Sequence, residues 1–179
     1  MLNEFLEFFS INEKIVYSGD LYSDFIIQLG GKCLKNGIFN IFKKDDIEKW
    51  TEIVSDAYPE FKNQFKLFAY DWLGRCFAIN TKSNPESILF FEIGTGYALR
   101  IPCSFENFLN IEIQKNTEAC LALSLFISWL QENQKAIPYG YCIGYKVPLF
   151  LSGEDNLSNL EENDMEVYWH ILGQIKNQI

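Results

Sequence analysis

"QFKLFAYDWLGRCFAIN", residues 64–80, is where the chain changes its period. Before Pro59 the apolar residues recur every three or four positions, as on one face of a helix. From Gln64 they follow a period of two, as on a pleated strand. Strands are predicted near 65–71 and 75–80, around the tight turn Asp71-Trp72-Leu73-Gly74. A second hairpin follows in "SILFFEIGTGYALRIP", residues 87–102, turning at Gly94-Thr95-Gly96. The segments 65–80 and 88–102 are expected side by side in one antiparallel sheet, because no βαβ alternation runs through them.

Upstream, Leu2, Phe5, Leu6 and Phe9 recur at helical spacing, with Glu4 and Glu7 opposite. "YSDFIIQL" (22–29) predicts a second helix, stopped by Gly30-Gly31, and "GIFNIF" (37–42) a short strand. Asp45, three residues before Glu48, has the spacing of a capping box. It would open a helix that turns Ile47, Trp50, Val54 and Ala57 inward until Pro59 ends it. Downstream, Ser104 is placed to cap a short helix through Phe105, Phe108 and Leu109. "NTEACLALSLFISWLQENQ" (116–134) is apolar almost all round. It is expected at the centre of the core, with Leu121, Leu125, Phe126 and Trp129 buried. Pro148 makes "YCIGYKVPLFL" (141–151) an edge strand or a bulged one, and Asn163 with Glu166 would cap a final helix. The reading is an α+β fold: a mainly antiparallel sheet of about five or six strands with flanking helices. No repeat or linker divides residues 1–179, so one compact domain is expected.

Composition narrows the function. Of 179 residues 48% are hydrophobic and 16% aromatic, enough for a substantial interior. Fifteen basic against 24 acidic residues give a net charge of −9. That balance disfavours nucleic acid and anionic membranes, and leaves room for a basic protein partner. The N-terminus lacks the basic stretch of a signal peptide, and the longest apolar run, Ala119 to Leu130, is too short to cross a bilayer. A cytoplasmic location follows as the expectation. The five cysteines (33, 76, 103, 120 and 142) are odd in number and form no CxxC pair. They read as unpaired, mostly buried thiols, without zinc or redox chemistry.

No cofactor, metal or catalytic constellation is indicated. The single histidine, His170, shares a helical stripe with Glu166, Gly173 and Asn177, while Met165, Trp169 and Leu172 form the apolar stripe. This predicts a solvent-facing His170 with Glu166 as ion-pair partner. "GTGYAL" lacks a third glycine and leads into a strand, so it is a hairpin turn and not a phosphate loop. A calcium loop starting at Asp155 would put Leu157 at its third ligand position. Asp71 fits an aspartate bonded to its own turn. The unusual feature is residues 144–171, "GYKVPLFLSGEDNLSNLEENDMEVYWHI", in which six acids accumulate. No Lys or Arg occurs between Lys146 and Lys176. Asp164 and Glu166 suit a helix N-terminus, where the helix dipole favours anions. Glu154, Asp155, Glu161 and Glu162 have no such role, and read as either solvated loop or a partner-binding patch.

Three stretches carry a resemblance: "FAYDWLGRCFAIN", "ILFFEIGTGYALRIPCSFENFLN" and "CIGYKVPLFLSGEDNLSNLEENDMEVYWHILGQI". They resemble the C-terminal domain of the type VI secretion immunity family, whose characterised members protect bacteria against DNase effectors. "FIIQLGGKCLKNGIFNIFKKDDIEKW" resembles the GAD-like domain that precedes it there, and a more distant likeness links both to SUKH immunity proteins. The most specific segment runs from Gly144 to Trp169, with Pro148-Leu149, Gly153, Asp155, Asn159-Leu160, Asp164 and Tyr168-Trp169. Ser152 departs from an expected glycine, and Lys43-Lys44 from an expected Asn-Pro. The resemblance implies a GAD-like portion over about 1–60 and an immunity portion over about 61–179. It also implies a cytoplasmic, non-enzymatic protein that binds and neutralises a cognate toxin. By charge and position, and not by the resemblance, Glu154, Asp155, Glu161 and Glu162 are the candidate surface for a toxin with a basic face. A general protein-interaction adaptor, or a small enzyme built on Asp71 or the acidic loop, are the other classes the residues leave open.

Overall fold

The computed structural model describes residues 2–179. The chain begins with helices α1 (Asn3–Phe8) and α2 (Leu21–Leu29), strands β1 (Cys33–Leu34) and β2 (Phe39–Ile41), and helix α3 (Ile47–Ala57). The two predicted hairpins follow as β3 (Phe65–Asp71) with β4 (Cys76–Asn80), and β5 (Ser87–Glu92) with β6 (Tyr97–Ile101). Next come α4 (Phe105–Asn107), a π-helical turn (Phe108–Glu112), α5 (Ile113–Lys115), α6 (Thr117–Leu121) and α7 (Leu123–Asn133). Strands β7 (Tyr141–Tyr145) and β8 (Leu160–Asp164) and helix α8 (Met165–Lys176) complete it. The architecture is α+β. Six strands form one antiparallel sheet in the order β1-β2-β3-β4-β5-β6, and β7 pairs with β8 in a separate two-stranded sheet.

Alternation along the central strands sorts aromatic residues between two buried faces. Phe77, Ile88 and Phe90 point to the face covered by α1, α2 and α4 through α7, while Cys76, Ala78, Leu89 and Phe91 point to α3 and α8. A register shift between Leu67 and Ala69 lets Phe68 and Ala69 both serve the first face. Phe77 lies in the middle there: its ring stacks on Phe90 at 4.5 Å and meets Phe39 and Phe108 within 6 Å. On the other face Trp169 from α8 meets Trp50 edge-on and donates its indole N–H to Gly74 O at 2.8 Å. All five cysteines are free thiols; Cys76, Cys120 and Cys142 are buried and Cys33 is exposed. Among the described residues no helix is long and apolar enough to cross a membrane.

Several expectations need correction. The predicted helix over 116–134 is two helices, because Ala122 adopts a left-handed conformation (φ 48°) between α6 and α7. Leu121, Phe126 and Trp129 are buried, but Leu125 is only half-buried and Ile127 is 45% exposed. The aromatic sheet, and not this helix, forms the centre of the core. The Asp45 capping box does not form. Asp46 stands at the N-cap of α3 without a side-chain cap bond, and its Oδ2 accepts from the Tyr139 hydroxyl instead. The cap of α8 is Asp164, which accepts from Val167 N; Asn163 belongs to β8. Pro148 lies beyond the end of β7 and starts a 3-10 turn over Leu149–Leu151. Met165, Trp169 and Leu172 are buried and His170 is exposed as expected, but Glu166 pairs with Lys49 of α3 at 2.7 Å.

Candidate functional site

The β3–β4 turn is tied down from inside. Asp71 is fully buried, and its carboxylate accepts from Leu73 N (3.0 Å), Arg75 N (2.9 Å) and Arg75 Nε (2.7 Å). The Arg75 guanidinium also reaches Glu92 at the end of β5 (2.9 Å) and Cys120 O in α6 (3.2 Å), and lies over the Phe90 ring. One cation therefore joins the turn, the neighbouring strand and a helix. Burial pushes the Asp71 carboxyl up to about 6, against the pull of Arg75. Two main-chain bonds seat the C-terminal segments against the hairpins: Ile143 N donates to Trp72 O (2.7 Å), and Leu149 N to Gly94 O (2.8 Å). The Trp72 indole N–H donates to Leu121 O (2.8 Å), which fixes the end of α6.

These ties leave a groove of about 590 Å³ between the two hairpin turns, the α6–α7 junction and the segment after β7. Leu73, Ala122, Leu125, Leu149 and Tyr145 supply apolar and aromatic walls, and Arg75, Glu92, Glu118 and Asp155 supply the charge. Glu118 spans the Ala122 break. Its Oε2 accepts from Ser124 N (3.0 Å) and Ser124 Oγ (2.8 Å), so it caps α7 from outside that helix. Asp155 Oδ1 accepts from the Tyr145 hydroxyl at 2.7 Å. Burial first, and then the Asp155 carboxylate, raise that phenol well above its ordinary value.

All four acids singled out in the sequence are exposed. Glu154 and Asp155 lie in a loop held by Asn159, whose side chain bonds Val147 N, Val147 O and Glu154 O. Gly153 lets that loop close, since a Cβ there would collide with Val147 O. Glu161 and Glu162 are in β8, not in a loop. They border a separate depression of about 480 Å³ with Glu132, Lys135 and Lys146, and Glu162 is paired with Lys135 at 2.7 Å. The structure thus divides the acids: only Asp155 reaches the groove. Arg75, Glu92 and Glu118 were not found by sequence reasoning. The Asp71–Arg75 spacing across a tight turn is the one local signal that could have pointed to them. Among the described residues there is no cluster of three or more side chains suited to hold a metal ion.

Residues 104–176, less than half of the chain, match the family model for the C-terminal domain of the T6SS immunity protein Tdi1. The crystal structure of Atu4351 from Agrobacterium tumefaciens is similar in fold, with a TM-score of 0.69 at 20% identity over 97% of this chain and 89% of that one. No curated protein matches this chain.

Proposed function

We propose that this chain is a type VI immunity protein, which binds a cognate toxin and neutralises it by contact and not by chemistry. The observation that carries this reading is the match of residues 104–176 to the Tdi1 C-terminal family; that span includes the acidic segment. The toxin is proposed to be a nuclease acting in the cytoplasm, where the immunity protein would reside. Residues 1–60 are proposed to form the GAD-like portion of one folded unit, distantly SUKH-like, with 61–179 as the immunity portion. A nuclease must present positive charge where it grips phosphates, and a protein covering that surface gains by offering carboxylates. Glu154, Asp155, Glu161 and Glu162 are proposed as the acids that do so at the rim. All are exposed, so reversing their charge leaves the core packing untouched; the loss is confined to the Tyr145–Asp155 bond and the Lys135–Glu162 pair, which should limit the cost to about 1–2 kcal/mol.

The experiment is co-purification with, and inhibition of, the toxin encoded by the adjacent gene, followed by association kinetics at low and high salt. A variant with Lys at all four positions should associate more slowly and lose most of its salt dependence. Absence of any complex or inhibition would refute the immunity reading. An unchanged on-rate for the variant would return these four acids to ordinary solvated surface.

A further inference from the structure

We infer that the groove between the hairpin turns and the α6–α7 junction receives an arginine side chain from the toxin; this rests on the toxin-binding reading above. The charge inside the groove is unbalanced. Among the described residues that line it Arg75 is the one basic group, and Asp71 and Glu92 already hold that guanidinium at 2.6 and 2.9 Å. Glu118 and Asp155 are left over. Among the described residues neither forms an ion pair. Each spends one carboxylate oxygen on a neutral neighbour, Glu118 Oε2 on Ser124 and Asp155 Oδ1 on Tyr145. Among the described residues the other oxygen of each, Glu118 Oε1 and Asp155 Oδ2, makes no hydrogen bond and remains able to accept one.

The remaining walls suit the stem of the same side chain. Leu73, Leu125 and Leu149 offer apolar surface for its methylenes, and the half-buried Tyr145 ring offers a face for a cation. On α7 the half-buried Leu125 packs against the core on one side and lines the groove on the other. Arginine fits better than lysine, because a planar fork can bond two carboxylates at once and still stack on a ring. An anion is disfavoured, since Arg75 is already engaged through Nε and both terminal nitrogens. Rim acids act on encounter, whereas carboxylates that bond one docked side chain together act on dissociation. Asp155 belongs to both sets, whereas Glu118 lies outside the rim set, so Glu118 is the carboxylate whose effect is confined to dissociation.

The test uses the full chain. In the complex with the toxin, the double variant Glu118→Gln, Asp155→Asn keeps an acceptor for Ser124 and for Tyr145 and removes both charges. Dissociation should accelerate roughly 30-fold or more, while association keeps most of its salt dependence, because three of the four rim acids remain and Glu118 is not among them. In parallel, N-acetyl-arginine amide is titrated into the free wild-type protein and followed by amide NMR. Saturable shifts at Gly94, Thr95 and Leu125, larger than with the lysine analogue and lost in the double variant, are expected. A toxin that leaves the double variant as slowly as the wild type overturns the inference and spares the immunity reading. A toxin that never binds overturns the immunity reading and this occupant with it. Absence of localised shifts in the wild-type titration shows that the groove does not accept a guanidinium.

Discussion

Arg75→Met should be among the most damaging single changes to a charged residue in this protein. The substitution keeps an unbranched side chain of similar reach and removes the guanidinium. Asp71, with no exposed side-chain surface, would then keep two main-chain donors, Leu73 N and Arg75 N, and lose its counter-charge. Glu92, whose side chain is 15% exposed, would lose its partner as well, and α6 its bond at Cys120 O. Breaking a buried ion pair from one side costs about 3–5 kcal/mol, since an uncompensated charge stays behind. The two surviving N–H bonds hold the expectation near the lower end of that range. With a urea slope of about 1–3 kcal/mol/M, the unfolding midpoint should fall by roughly 2 M. Asp71→Asn in the Arg75→Met background removes the stranded charge while keeping the turn's main-chain donors partnered. It should recover about 1–3 kcal/mol of the loss as a coupling energy. Urea melts of the wild type, both single variants and the double variant complete the cycle. A shift below about 1 kcal/mol for Arg75→Met, the size of an exposed pair, would refute the account of this network as the tie that holds the groove.

Core truncations should rank by face and not by helix. Phe77→Ala should cost about 3–5 kcal/mol, whereas half-buried Leu125→Ala should fall below the usual range of about 2–5 kcal/mol for a buried leucine; equal midpoint shifts would place the core centre on α7 after all. Gly144→Ala should destabilise the β7–β8 sheet, because the new methyl meets the Tyr168 ring, and hydrogen exchange of the β7 and β8 amides should report it. Asp71 has a folded-state pKa of about 6, above its ordinary 3.8. Between those values the folded state holds a proton that the unfolded state has released, so the Asp71 contribution makes stability fall as pH rises from about 4 to 6. Subtracting the stability profile of Asp71→Asn from that of the wild type should isolate this slope. A flat difference across the window would reject it.

Much of the fold was legible because its signals are local. Alternation along 65–80 and 87–102, with glycine-bearing turns, specified both hairpins to within a residue or two. Ser104 lies at the cap position its spacing predicts, and Leu2, Phe5 and Phe9 all point inward. Strand β8 escaped notice because only Leu160 among its five residues is buried; a strand whose side chains mostly face water carries no alternation to read. The break at Ala122 escaped for the opposite reason. An apolar residue on a buried face and one on a groove wall look alike in sequence, and the carboxylate that caps α7 comes from across the break. The competing caps of α3 and α8 were settled by distant partners: Tyr139 engages Asp46, and the pairing of β7 with β8 carries Asn163 into a strand and leaves Asp164 at the helix start. The groove is the furthest from local reading. Arg75, Glu92, Glu118 and Asp155 come from four separate stretches, and folding alone brings them together. Hydrophobic period and turn chemistry act over a few residues and can be read there, whereas the pairing or desertion of a charge depends on which stretches meet.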